Sequence, residues 1–313
     1  MFDFTEYDIA LCMGAKKASG NKILGLADTD NPYIPEEQTD FIPPAFIADL
    51  IAGFRLQEPI FLFGPTGCAK TAGVRWLCSK FHLPLLHVTG HARLEFTDLI
   101  GHYTVTQGNL SWVDGPLLTA IKNGFTFCFD EISLCPPEVL VGLHGILDRH
   151  PLLVPETNEL VPVHPQFRFI ATDNTNGSGD ESGQYLGTLR QNQALMNRCF
   201  FVKADFLPEN LERKLLLAHA KGKNIPNDVI DNILKFAQDV RSPARAGSKL
   251  ECPVNTTISV RDLYRWIDSI EIFSFLKNQG KNVVMYALSR AILFRLSTTD
   301  RDTLTQLFNA IFK

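Results

Sequence analysis

Apolar and polar positions follow two regimes along this chain, short apolar runs between helical stretches up to about residue 205 and helical spacing throughout after it. The stretch 43–54, "PPAFIADLIAGF", carries Phe46, Leu50 and Phe54 at helical spacing, with proline at its start, and predicts a helix. The run "PIFLF" (59–63) is continuous and apolar, as expected of a strand buried on both faces of a parallel sheet. Val74, Leu77, Cys78 and Phe81 then recur with helical period, so a helix follows the intervening turn. The runs at 83–89, 125–129, 167–172 and 199–204 predict four more strands, separated by predicted helices at 136–149 and 189–198 and shorter ones near 95–101 and 116–124. Two alternating stretches read as hairpins: 102–115 around Gly108-Asn109, and 151–163 with its turn at 156–159. From residue 208 onward the pattern predicts five helices, at 208–221, 226–240, 259–275, 280–297 and 301–312.

Alternation of strand and helix predicts an α/β fold with a parallel five-stranded sheet, two β-hairpin insertions and an all-α domain after it. The expected organisation is an irregular N-terminal arm at 1–40, an α/β domain at 41–207 and a helical lid at 208–313.

Composition narrows the class. Hydrophobic residues make up 45% of the 313, enough for a sizeable core, and the net charge is only −4. That balance points away from a polyanion-binding protein, so no nucleic-acid partner is expected. The seven cysteines have no C-x-x-C spacing and mostly sit in apolar runs, which predicts reduced thiols in a cytoplasmic protein. The N-terminus lacks a basic segment followed by an apolar one, so no secretory signal is expected, and no spanning helix or membrane association either. His87, His91, His102, His144, His150 and His164 lack ligand spacing and are expected to be structural.

Chemistry concentrates at strand ends. "GPTGCAKT", Gly64 to Thr71, follows a strand and opens a helix, the context of a phosphate-binding loop. Backbone N–H groups of Gly64, Pro65's neighbours Thr66, Gly67, Cys68 and Ala69, and the helix N-terminus are expected to face phosphates. Lys70 is expected on the β- and γ-phosphates and the Thr71 hydroxyl on Mg²⁺. Ala69 stands where the pattern asks for a second glycine. Its amide is retained; its cost depends on whether φ is positive there.

"FTFCFDE" ends a strand in two carboxylates. Asp130 is expected to hold Mg²⁺ and Glu131 to activate a water. Asn174, after "FRFIAT", is placed to help orient that water. Arg198 precedes the last strand, with Arg190 as its rival, and Arg261 starts a lid helix. The strand aromatics Phe127, Phe129, Phe167 and Phe169 are read as core, whereas Tyr103 and Trp112 are open between packing and partner contact.

These motifs, in this order, resemble the AAA+ family. The two hairpins are similar to those of its helix-2-insert clade, which includes MoxR-type ATPases and the magnesium and cobalt chelatase motors. Within it the chain most resembles the ATPase subunits of aerobic cobaltochelatases (CobS-like), through "FDF", "LIAGF", "ATDNTNGSGDESGQYLGTLRQNQALMNR" and "TISVRDLYRWIDSIEIF". The resemblance implies Lys70 and Thr71 as the Walker-A pair, Asp130 and Glu131 as the Walker-B pair, Asn174 as sensor 1, Arg198 as arginine finger and Arg261 as sensor 2. It also implies ATP and Mg²⁺ as cofactors, a homo-oligomeric ring, usually a hexamer, and remodelling of a protein client with a von Willebrand A-type domain. Two alternatives stay open: a MoxR-type activator of another client or a mobile-element protein, and an ATP-binding scaffold with little turnover. A small-molecule kinase would not need the helical lid, and "NKIL" lacks the aspartate of a guanine-recognition motif.

Overall fold

The computed structural model describes residues 2–106, 108–180, 185, 187–242 and 254–312. The chain divides into two compact units, residues 1–64 with 69–205, and residues 65–68 with 206–313.

The first unit opens with β1 (Phe4–Asp8), the single turn α1 (Ile9–Cys12) and β2 (Lys22–Leu26). Helix α2 (Phe46–Leu56) leads into β3 (Ile60–Phe63), then α3 (Lys70–Lys80), β4 (Leu85–Thr89) and α4 (Phe96–Ile100). Strands β5 (Gly101–Thr106) and β6 (Asn109–Asp114) precede α5 (Pro116–Asn123) and β7 (Thr126–Asp130). Next come α6 (Pro137–Val141), α7 (Leu143–Leu147), β8 (Leu152–Val154), β9 (Glu159–Val161), β10 (Arg168–Asp173), α8 (Gln193–Met196) and β11 (Phe200–Lys203).

The sheet is parallel and five-stranded, in the order β11-β3-β10-β7-β4. The α/β class and the five parallel strands match expectation. Strand β3 and the Phe127–Phe129 run of β7 are unbroken apolar runs because both faces of the sheet are covered there. Phe61, Phe127 and Phe129 are fully buried and Phe169 nearly so; each such ring contributes about 1.5–3 kcal/mol. With β10 between β3 and β7, the strand C-termini that carry Gly64, Asp130 and Asn174 lie side by side.

Four expectations need correction. The N-terminal stretch is not wholly irregular: β1 and β2 pair antiparallel from Phe4↔Leu26 to Asp8↔Lys22. Burial of Ile23 and Leu26, the Leu26 N–H to His82 carbonyl bond (2.9 Å) and the Tyr7 hydroxyl to Leu26 carbonyl bond (2.7 Å) fix the hairpin. The helix expected over 136–149 is split at Gly142, where the Phe96 ring comes so close that a Cβ would lie 2.6 Å from it. The helix expected over 189–198 shrinks to α8. In the β5–β6 hairpin Asn109, expected in the turn, instead begins β6 and pairs with Thr106.

Both insertion hairpins are present, β5–β6 and β8–β9. The Tyr103 hydroxyl donates to the Glu156 carbonyl (2.8 Å), joining the first hairpin to the turn of the second, and Tyr103 packs edge-on to Trp112. Both aromatics therefore have a packing role within the unit.

The second unit is helical: α9 (Glu209–His219), α10 (Asn227–Arg241), α11 (Val260–Ile272), α12 (Val283–Ala291) and α13 (Thr298–Ile311). Its own core gathers Phe236, Trp266, Leu288 and Phe308. Among the described residues, no helix is long and apolar enough to cross a membrane. No disulfide joins the described cysteines, and burial pushes the Cys78 thiol up to about 12. Cys252, and residues 181–184 and 186 of the long segment before β11, lie outside the described residues.

Candidate nucleotide-binding site

The loop after β3 is shaped by its backbone. Gly64 has φ +154°, and a Cβ there would lie 2.1 Å from the Ala204 carbonyl oxygen, so only glycine fits. Within the loop the Cys68 N–H reaches the Pro65 carbonyl (3.4 Å), Thr66 is exposed and Cys68 is buried. Gly67 has φ +85°. Ala69 has φ +67° and ψ +30°, the left-handed region, at the N-cap of α3. The missing glycine therefore falls where positive φ is required, and alanine bears that strain, roughly 1–2 kcal/mol.

Lys70 is buried at the start of α3, and its ammonium donates to the Gly64 carbonyl (2.8 Å) and to Asn174 Oδ1 (2.9 Å). The Thr71 hydroxyl donates to Asp130 Oδ1 (3.1 Å), at the end of β7. The next residue, Glu131, is itself left-handed (φ +55°), and its carboxylate accepts from Asn174 Nδ2 at 3.0 and 2.8 Å. Asn174 thus bridges Lys70 and Glu131: its carbonyl oxygen takes the cation and its amide serves the carboxylate.

The electrostatics separate the two acids. Burial alone would raise the Asp130 pKa, but hydrogen bonds from His87, Thr172 and Thr71 outweigh it and hold the group below the usual carboxylate range. Burial raises the Glu131 pKa, reinforced by nearby Asp130 and Asp173, and the Asn174 bond and Lys70 only partly offset it. An ionised oxygen donor therefore stands beside a more basic carboxylate, the division needed to hold a cation and to accept a proton.

Three contributors were not singled out from sequence. His87 was expected to be structural, yet its Nε2 lies 3.3 Å from Asp130 Oδ2. Thr172 donates to the same carboxylate and also accepts from the Glu131 N–H (3.4 Å). Asp173 is buried, accepts from Ser133 and Thr175, and its carbonyl takes the Gly64 N–H (3.3 Å). The available signal was a polar side chain interrupting an apolar strand near its C-terminal end, in "LPLLHVT" and "FRFIATD".

Three arginines were also expected to act at the site. Arg198 is held by Asp148, with Nε at 3.0 and 2.9 Å from its two oxygens and Nη2 at 2.8 Å, and donates to the Ala194 carbonyl (2.6 Å). Within one chain it takes no part in the Lys70–Asn174–Glu131 network. Arg190 is exposed. Arg261 is exposed in the first turn of α11 in the helical unit. Its neighbour Asp262 is engaged by Arg295 (2.5 Å) and caps α11 through Ser259.

Thr71 and Asp130 offer hard oxygen donors within hydrogen-bond distance of each other, which fits Mg²⁺ shared with substrate phosphates. Among the described residues, no group of three or more His, Cys, Asp or Glu side chains could hold a metal alone.

Residues 59–189 match the family described as AAA domain, dynein-related subfamily. The chain is 30% identical over 223 residues to an uncharacterized protein of Staphylococcus epidermidis, covering 69% of this chain and 81% of that one. With an uncharacterized protein of Staphylococcus aureus the identity is 29% over 271 residues, 84% of this chain and 93% of the relative. Midasin of Giardia intestinalis is 26% identical over 230 residues, 72% of this chain but 5% of midasin. Among solved structures, the Thermotoga maritima RuvB Holliday junction branch migration motor gives a TM-score of 0.51 at 13% identity, over 82% of this chain and 72% of that one, a likeness of fold. The matched span contains β3, β7 and β10 and every residue of the Lys70–Asn174–Glu131 network, and the chain belongs to the AAA+ ATPase family.

Proposed function

We propose that the chain binds Mg·ATP and hydrolyses it as the motor of a homo-oligomeric ring, a hexamer by resemblance. One observation carries the reading: Lys70, Asn174 and Glu131 form one hydrogen-bonded chain beside the Thr71–Asp130 pair.

Lys70 binds the terminal phosphates, exchanging its Gly64 and Asn174 contacts for phosphate oxygens. Thr71 and Asp130 are the groups that would hold Mg²⁺, which when bound offsets phosphate charge. Glu131 orients a water against the γ-phosphorus and takes its proton as the oxygen–phosphorus bond forms. The bond to the bridging oxygen breaks and ADP leaves with that electron pair. Asn174 keeps Glu131 and the water in line. Arg198 exchanges Asp148 for the γ-phosphate of a neighbouring subunit as the arginine finger, and Arg261 acts as sensor 2. The module spans 41–207, the lid 208–313 and the arm 1–40. The setting is the cytoplasm, and the client is a protein with a von Willebrand A-type domain, served as a CobS-like chelatase motor serves metal insertion.

A second reading, an ATP-binding scaffold with slow turnover, rests on the methyl that Ala69 places in the loop where the pattern has glycine, not on its backbone strain. ATPase assays of the wild type, Lys70→Ala and Glu131→Gln, with and without a co-purified client, decide between them. Motor activity requires turnover that the client stimulates and both variants abolish. Full turnover in Glu131→Gln would reject the assigned base, and wild-type turnover no faster than that of the variants would favour the scaffold.

A further inference from the structure

Arg168 begins β10, at the end of the sheet remote from the strand C-termini, and is 7% exposed. Its guanidinium donates from Nη1 to the Gln166 carbonyl (3.1 Å) and from Nη2 to the Leu24 carbonyl (3.0 Å) and Gln166 Oε1 (3.5 Å). The Phe54 ring lies 5.5 Å from Cζ. Among the described residues every acceptor is neutral, and Nε is buried without a partner. Burial pushes its pKa down to about 10, with the Arg149 cation adding to the fall and Cys78 opposing it. Buried cations ordinarily have a counter-charge, because an unpaired one costs several kcal/mol of solvation.

A cavity of about 170 Å³ opens beside Arg168. Arg55 and Lys22 line it as well, with Gln57 and Gln166. Among the described residues, its one carboxylate is Glu6, which Lys22 engages. Three cations thus face one acid, and that acid is already paired. A water occupies about 30 Å³ of liquid, so the space equals roughly six waters. That suits a tetrahedral oxyanion and falls short of the roughly 300–1,000 Å³ of larger ligand pockets.

We infer that this cavity binds a small oxyanion of the phosphate type between Arg168, Arg55 and Lys22. The guanidinium and ammonium donors match its oxygens. Because Arg168 holds the Leu24 carbonyl and Lys22 belongs to the same strand, an occupied site ties the β1–β2 hairpin to the sheet.

Hydrogen exchange of the full chain, read by mass spectrometry, tests this with inorganic phosphate against sodium chloride of matched ionic strength. Phosphate should slow exchange in Lys22–Leu26 saturably, about tenfold at ten times its dissociation constant. Arg168→Gln risks the fold, so the exposed Arg55→Glu carries the test and should abolish the effect. Glu6→Gln should shift saturation to lower phosphate. Slowing confined to 64–71, slowing that chloride reproduces, or slowing undiminished in Arg55→Glu would overturn the site.

Discussion

At the C-terminal ends of β3, β7 and β10, the cation of Lys70 and the carboxylate of Glu131 share the two ends of one asparagine amide. At the N-terminal end of β10, Arg168 is as deeply buried, but among the described residues its hydrogen bonds go only to carbonyl and amide oxygens. The first arrangement contains its own counter-charges, so entering phosphates would exchange one set of partners for another. The second has cations in excess beside a cavity. Burial depth is similar for Lys70 and Arg168, at 8% and 7% exposed. What separates the two ends is whether opposite charge arrives with the fold or from outside it.

The sharpest way to break the first arrangement is Glu131→Gln. Loss of the base should lower ATP turnover by about 10²–10⁴-fold in a steady-state assay. The same change should raise stability. Folding raises the Glu131 pKa, so the native state disfavours the ionised form, and glutamine removes that penalty while still accepting from Asn174. The gain in a denaturant titration should be present at neutral pH. It should shrink as pH falls through the raised pKa, where the wild type is already protonated. A stability loss at neutral pH would contradict the charge balance described. Asn174→Ala should cost about 10² in turnover by releasing both Lys70 and Glu131. A full-rate Asn174→Ala enzyme would show the bridge to be incidental.

The sheet and much of the candidate site were legible because buried parallel strands are written as unbroken apolar runs, and "FTFCFDE" places two acids where such a run stops. His87 and Thr172 were hidden for a different reason. They meet Asp130 only because β4 and β10 flank β7, and that order comes from tertiary packing. The N-terminal hairpin escaped because "FTEYD" has the polar composition of a loop, and its pairing partner lies beyond an intervening glycine- and lysine-rich stretch. Gly25 shows how close the fit is: a Cβ there would sit 1.8 Å from the Phe81 carbonyl oxygen.

The other end of the sheet is probed by Arg168→Met. It removes a buried cation but leaves the Leu24 carbonyl without its donor. Loss of that bond should dominate, at about 1–3 kcal/mol in chemical denaturation. A neutral or stabilising result would mean that the desolvation cost of the unpaired cation exceeds its hydrogen bonds, and would strengthen the contrast between the two ends.

Ala69→Gly has the smallest expected effect and isolates backbone strain from chemistry. Left-handed alanine costs roughly 1–2 kcal/mol relative to glycine in the folded chain. Glycine in turn frees the unfolded chain by about 0.5–1 kcal/mol. The net expectation is a gain of about 0.5–1 kcal/mol in denaturant midpoint experiments. The strain belongs to the loop's resting φ of +67° and persists through binding and reaction if the loop keeps its shape. Such uniform strain cancels between bound ground state and transition state, so kcat should stay within about twofold. KM for ATP separates the remaining possibilities. An unchanged KM leaves Ala69 a matter of stability alone, as expected here. A KM that falls tenfold, by about 1.4 kcal/mol, would mean that the alanine methyl crowds the phosphates and that the loop's one departure from pattern tunes affinity.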